Sequence, residues 1–276
     1  MKWRSLSGMM ILHGGEAELY YEYTVPQEAG DTALVFLHAH SVDLRMWEPQ
    51  AAAFGRDYPL LRYDLRGYGQ SSLPQEGEDY LHAGDLRRLL EQLNIEAVHL
   101  VGLSLGAFVA LDYWALYPEK VCSVTVASAG IPDPRLEEEA PFTGDVNTFK
   151  REWYEGLLAH CGPDHNGYRR RLWSMISDWK AWQLTHREPE CLLRERLLPT
   201  LQESLPVPVC AVWGEQDSAG AKASLRLLLD HVPQAATAEL ADAGHFCSME
   251  VPEVFNRELR NFLRKAESVL NFPSAP

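Results

Sequence analysis

Gly102-Leu103-Ser104-Leu105-Gly106 sets one hydroxyl between two glycines, directly after the apolar run at 98–103 and before a stretch with helical spacing at 105–117. A serine on so tight a strand-to-helix turn needs neighbours without side chains two residues to either side, and glycine supplies them. The turn lifts the hydroxyl above the end of the strand. The helix that follows aims its free N–H groups at the same point. This suits nucleophilic attack on a carbonyl. The alternative is a glycine-rich turn carrying an incidental serine, and the strand–turn–helix setting weighs against it.

A serine hydroxyl is a poor nucleophile at neutral pH and needs a base, itself oriented by an acid. His245, in Asp242-Ala243-Gly244-His245-Phe246 after an extended stretch at 237–241, is the expected base. His13, His82, His99, His160, His165, His186 and His231 fall on expected helices, loops or strand starts and read as structural. Asp217, closing Trp213-Gly214-Glu215-Gln216-Asp217, is the expected acid. Asp133 is its rival, because it also follows a strand end. Glu215 and Asp242 read as surface or turn groups.

These side chains must be carried by strands and helices in alternation. Leu19-Tyr20-Tyr21-Glu22-Tyr23 is rich in strand formers, and the apolar run at 33–37 reads as a strand buried on both faces. Comparable runs lie at 58–63, 98–103, 121–127 and 207–213, with helical patterns at 80–93, 105–117, 221–231 and 251–266 between and after them. That rhythm predicts a mostly parallel sheet covered on both faces. It breaks between 131 and 205, where helical patterns at 147–159, 168–182 and 189–203 occur without a buried strand. Four of the eight tryptophans, Trp153, Trp173, Trp179 and Trp182, sit in this break. A helical lid over the sheet, with an apolar pocket wall, is the simplest account.

Composition narrows the function from another side. At 276 residues the chain has room for one large α/β domain with an insertion, and 46% hydrophobic against 23% charged residues is a globular balance. A net charge of −14 repels phosphate backbones and anionic membranes, and the longest basic run is only Arg169-Arg170-Arg171. A small-molecule substrate is therefore expected, with no nucleic-acid or membrane partner. Five cysteines without a C-x-x-C pair fit a reducing compartment rather than a disulfide framework. The only apolar run near the N-terminus, Met9-Met10-Ile11-Leu12, is too short for a signal or spanning segment. A soluble, cytoplasmic protein is the expectation.

Taken with its elbow, the chain resembles the α/β-hydrolase superfamily along nearly its whole length, and the order Ser104, Asp217, His245 is that superfamily's order. Asp64-Leu65-Arg66-Gly67-Tyr68-Gly69-Gln70-Ser71 matches the D-x-R-G-x-G-x-S loop of its smaller members, read here as a turn fixed by two glycines and an Asp–Arg pair. With Arg62-Tyr63, Trp47 after Arg45-Met46, and Gly214-Glu215-Gln216-Asp217, it looks most like the 3-oxoadipate enol-lactonase and small carboxylesterase branch. The resemblance implies an α/β-hydrolase fold, with a core from 1–130 and 206–276 and a helical cap from 131–205. It also implies an oxyanion hole built from the backbone N–H groups of His40, in the loop Leu37-His38-Ala39-His40-Ser41-Val42-Asp43, and of Leu105. His38 reads as a packed loop histidine, and the His40 imidazole either faces the pocket or contributes backbone alone.

Departures from the pattern matter as well. Ala39 stands where many relatives carry glycine after the histidine. Ser104 excludes the haloalkane dehalogenase and epoxide hydrolase branches, which use aspartate as nucleophile. The chain also lacks the tryptophan beside the nucleophile and the Gly-Gly-Pro loop of prolyl iminopeptidases. What remains is esters, lactones and thioesters, and the expectation is a serine hydrolase of small carboxylic esters or lactones that works through an acyl-enzyme. A hydrolase of carbon–carbon bonds next to a carbonyl, or a hydrolase-fold ligand sensor with little turnover, stays open beside it. No metal or organic cofactor is implied.

Overall fold

Central strands buried on both faces build this molecule from a sheet outward. The computed structural model describes residues 4–12, 17–28, 30–132, 142–186 and 191–270. Eight strands run in chain order as β1 (Arg4–Ile11), β2 (Glu18–Val25), β3 (Thr32–Leu37), β4 (Leu60–Tyr63), β5 (Ala97–Leu103), β6 (Val121–Ala127), β7 (Val209–Gly214) and β8 (Ala236–Leu240). They form one sheet in the order β1-β2-β4-β3-β5-β6-β7-β8. The β1–β2 and β2–β4 pairs are antiparallel and every pair from β4 to β8 is parallel. The carboxyl ends of β5, β6, β7 and β8 therefore share one edge of the sheet. In this architecture that edge is where ligands bind.

Ten α-helices join or follow these strands among the described residues: α1 (Glu48–Phe54), α2 (His82–Gln92), α3 (Leu105–Leu116), α4 (Val146–Leu158), α5 (Tyr168–Asp178), α6 (Trp182–Thr185), α7 (Leu197–Gln202), α8 (Ala219–His231), α9 (Cys247–Glu250) and α10 (Pro252–Leu270). On β3, Ala33, Val35 and Leu37 pack with α2, α3 and α8, while Leu34 and Phe36 pack with α1, α5 and α10 on the opposite face. Two cores thus flank one sheet, as the alternation of strand side chains demands. No described helix is long and apolar enough to cross a membrane.

Between β6 and β7 the described residues hold α4 to α7 and no strand. The helical pattern at 168–182 is broken in the structure. Trp179 caps α5 with an extended backbone, and Ala181 takes a left-handed φ of 55° before α6 begins. The break turns the Trp179 indole toward the carboxyl edge of the sheet, where its ring packs against His40. Leu193, Leu197 and Leu201 lie in the same core cluster as α3. Asp133 and the start of the pattern at 189–203 lie outside the described residues.

Candidate active site

Ser104 joins β5 to α3 with φ 54° and ψ −116°, a left-handed φ that strains any residue with a side chain. Its neighbours explain how the turn fits. A Cβ on Gly102 would lie 2.0 Å from the Gly106 carbonyl oxygen, and one on Gly106 would lie 2.1 Å from that of Leu37. Both positions exclude any side chain, so the glycine spacing is dictated by backbone approach. The Ser104 N–H donates to Ala127 O on β6 at 2.9 Å, which fixes the turn to the sheet. Leu105 opens α3, so its N–H belongs to the first turn, whose donors have no intrahelical partner.

The sequence-derived acid and base are brought together. Asp217 follows β7 and His245 follows β8. His245 Nδ1 lies 3.0 Å from Asp217 Oδ1, with the aspartate side chain fully buried and the imidazole 18% exposed. Asp217 Oδ1 also accepts the Ser218 N–H at 2.7 Å, while Oδ2 is buried without a partner among the described residues. A carboxylate only accepts, so Nδ1 carries the proton and Nε2 is left as a lone-pair acceptor. The two loops meet because Gly214 admits the chain: a Cβ there would lie 2.3 Å from Ala243 O.

His38 has a different task. Its Nδ1–H donates to Ala39 O at 2.8 Å, and its Nε2 accepts the Leu65 N–H at 2.9 Å. Both ring nitrogens are committed to backbone, and burial pushes its pKa down to about 4. His40 sits in a box of aromatic rings, with centroids 4.8 Å from Trp179, 5.7 Å from Tyr68 and 5.8 Å from Trp153. Burial, helped by neighbouring His38, also lowers its pKa to about 4, so it is neutral at ordinary pH. Its Nδ1 is buried without a partner among the described residues.

Several residues of this site escaped sequence reasoning. Ser41, at φ 61°, accepts the Trp153 Nε1–H at 2.8 Å and so latches α4 to the loop after β3. Trp179 Nε1 donates to Gln183 Oε1 at 3.1 Å, and Gln183 Nε2 donates to Gly67 O at 3.3 Å. Tyr68 and Gln183 come from separate segments, and no local spacing signals their meeting. The loop at 64–71 is structural, but the expected Asp–Arg pair within it is not formed. Asp64 accepts backbone N–H groups from Leu44 at 2.9 Å and Gln70 at 2.8 Å. Arg66 instead turns away to α2, where it pairs with Asp85 at 2.6 Å, and it reaches Glu78 at 2.5 Å. The backbone donors around Asp64 leave no room for the guanidinium: a Cβ on Gly69 would already lie 2.1 Å from the Asp64 carboxylate. No group of three or more His, Cys, Asp or Glu side chains among the described residues is placed to hold a metal ion.

A left-handed serine turn at the carboxyl end of a central parallel strand, with an Asp–His pair carried after the last two strands, is the arrangement of the α/β-hydrolase class. The model of the alpha/beta hydrolase family matches residues 34–258, and the chain belongs to that family. It is similar to 3-oxoadipate enol-lactonase 1 of Acinetobacter baylyi, with 24% identity covering 95% of this chain and 99% of the relative. It is 30% identical to the pimeloyl-[acyl-carrier protein] methyl ester esterase of Aeromonas salmonicida, over 83% of this chain and 94% of that one. Among solved structures, the enol-lactonase from Burkholderia xenovorans superposes with a TM-score of 0.69 at 21% identity, covering 93% of this chain and 100% of that chain. The protein is accordingly a hydrolase with esterase and lactonase relatives.

Proposed function

We propose that this hydrolase cleaves small carboxylic esters or lactones through an acyl-enzyme on Ser104. The observation that carries the reading is the left-handed Ser104 turn at the carboxyl edge of the sheet that also presents the His245–Asp217 pair. His245 Nε2 takes the Ser104 proton as Oγ attacks the carbonyl, and Asp217 stabilises the imidazolium that forms. The backbone N–H groups of Leu105 and His40 stabilise the developing oxyanion. The leaving alcohol or enolate takes the proton back from His245, and water repeats the cycle on the acyl group. His38 and His40 are neutral, so they add no cation to the pocket. The segment 131–205 serves as a helical cap, and its Trp153 and Trp179 with Tyr68 select planar or apolar acyl groups. The names of the enol-lactonase and methyl ester esterase relatives support an ester or lactone carbonyl.

A chromogenic aryl ester series tests this. The parent enzyme should show a burst of about one equivalent of phenolate, with the acyl group found on Ser104 by peptide mass. Ser104→Ala should lower turnover by a factor on the order of 10⁶. A folded Ser104→Ala protein with parental turnover sinks the mechanism.

A further inference from the structure

Glu250 closes α9, a short turn that follows His245, and only 2% of its surface is exposed. Its Oε1 accepts the Phe246 N–H at 2.8 Å, and its Oε2 accepts the N–H groups of Gly244 at 3.0 Å and of Gly162. Gly244 and Phe246 flank His245, so a single carboxylate grips the chain on both sides of the imidazole. Gly162 belongs to a strap at 160–162 between α4 and α5, and this strap also takes the His245 N–H on the His160 carbonyl at 2.7 Å. The strap lies so near that a Cβ on Gly244 would sit 1.9 Å from His160 O. Tyr168 and Arg169 hold the strap from the far side, donating to Gly162 O at 2.8 and 3.0 Å.

A buried carboxylate is tolerated when charge-assisted hydrogen bonds replace water, and three N–H donors do so here. Burial raises the Glu250 pKa, while the donors from Gly162, Gly244 and Phe246 and the neighbouring Cys161 thiol oppose the rise. The site needs an acceptor at both oxygens. Glutamine would set its NH₂ against at least one of the N–H groups.

Resting on the reading of His245 as the base, we infer that Glu250 is a positioning residue: it holds His245 in register with Asp217 and ties that register to the 160–162 strap. The test follows phosphonylation of Ser104 by a fluorophosphonate probe, together with the low-field proton resonance of the His245–Asp217 bond. Glu250→Gln should slow the maximal labelling rate by about 10- to 100-fold, leave the probe's half-saturation unchanged and weaken the low-field resonance, since a small misplacement of a reacting group costs that much. Leu259→Ala removes a buried α10 side chain and should lower stability with neither readout changed. Labelling of Glu250→Gln at the parental rate with the resonance intact overturns the proposal, as does a Leu259→Ala protein that shows the same losses. If Glu250→Gln does not fold, Gly162→Ala decides, because its Cβ would lie 2.1 Å from Asp242 O and 3.0 Å from Glu250 Oε2. Slowed labelling there supports the role and parental labelling refutes it. A parent enzyme that does not label at Ser104 would instead fault the catalytic reading itself.

Discussion

Three histidines stand near the rim of this site, and hydrogen bonding divides their work. His38 spends both ring nitrogens on backbone, and burial beside His38 keeps the His40 imidazole uncharged. His245 alone of the three pairs Nδ1 with a carboxylate and leaves Nε2 to receive a proton. His245→Ala should therefore reduce kcat by about 10⁶-fold and Asp217→Asn by about 10⁴-fold, because the aspartate acts only through the imidazole. Steady-state kcat for both variants checks this, and an Asp217→Asn enzyme at parental kcat would return the acid role to Asp133. Ser104 and His245 stand out in the sequence because each lies close to glycine shortly after a strand signal. Spacing alone did not say which carboxylate reaches His245; the loops after β7 and β8 bring Asp217 to the imidazole, and Asp133 lies outside the described residues. The aromatic partners of His40 come from three segments of the chain, so no spacing rule could have found them.

At the scale of elements, the break between α5 and α6 decides what the substrate meets. A continuous helix at 168–182 is what periodicity predicts, since Trp179 and Ala181 are ordinary residues in a helical pattern. The left-handed Ala181 ends that pattern and sends Trp179 to His40, a packing demand that outweighs local propensity. Trp173 remains on α5 against Tyr154, with rings 5.2 Å apart. Trp179→Ala should thus change the ratio of kcat/KM between small and bulky aryl esters by about 10-fold, the range open to a reshaped apolar pocket, while Trp173→Ala leaves it unchanged. Matching ratios in the two variants would move specificity to other walls of the site. The parallel strand β3 was legible as an unbroken apolar run at 33–37, and β5 as a mostly apolar one. Strand β1 was not, because half of its side chains face solvent and it pairs at the sheet margin.

For the molecule as a whole, buried histidines make acid an unfolding agent. His82 lies at the start of α2 and is 1% exposed, with neither ring nitrogen partnered among the described residues. Burial, with smaller contributions from His38 and Arg66, lowers its pKa from 6.5 to about 3. Between those values the unfolded chain binds a proton that the folded protein refuses. The stability His82 confers is therefore whole above pH 6.5 and is lost as pH falls toward 3. His82→Leu removes this linkage. Its stability relative to the parent should improve by about 1.4 kcal/mol for each pH unit below 6.5, whatever the packing change does at neutral pH. Urea unfolding of both proteins at pH 7.5 and pH 5.5 measures the difference, and a gap that does not vary with pH refutes it.

The carbonyl of His160 bears on any attempt to exchange segments between relatives. His245 hangs its backbone N–H on that oxygen, although His160 belongs to the stretch that follows α4. A chimera that replaces everything between β6 and β7 would keep Ser104, Asp217 and His245 and still lose the hook on which the histidine is hung. Grafts that replace only residues after Gly162 retain the native hook. Those that replace it must import a donor loop with a carbonyl at the same place and room for Gly244 beside it. Inheritance of Ser104, Asp217 and His245 alone is thus not inheritance of their geometry.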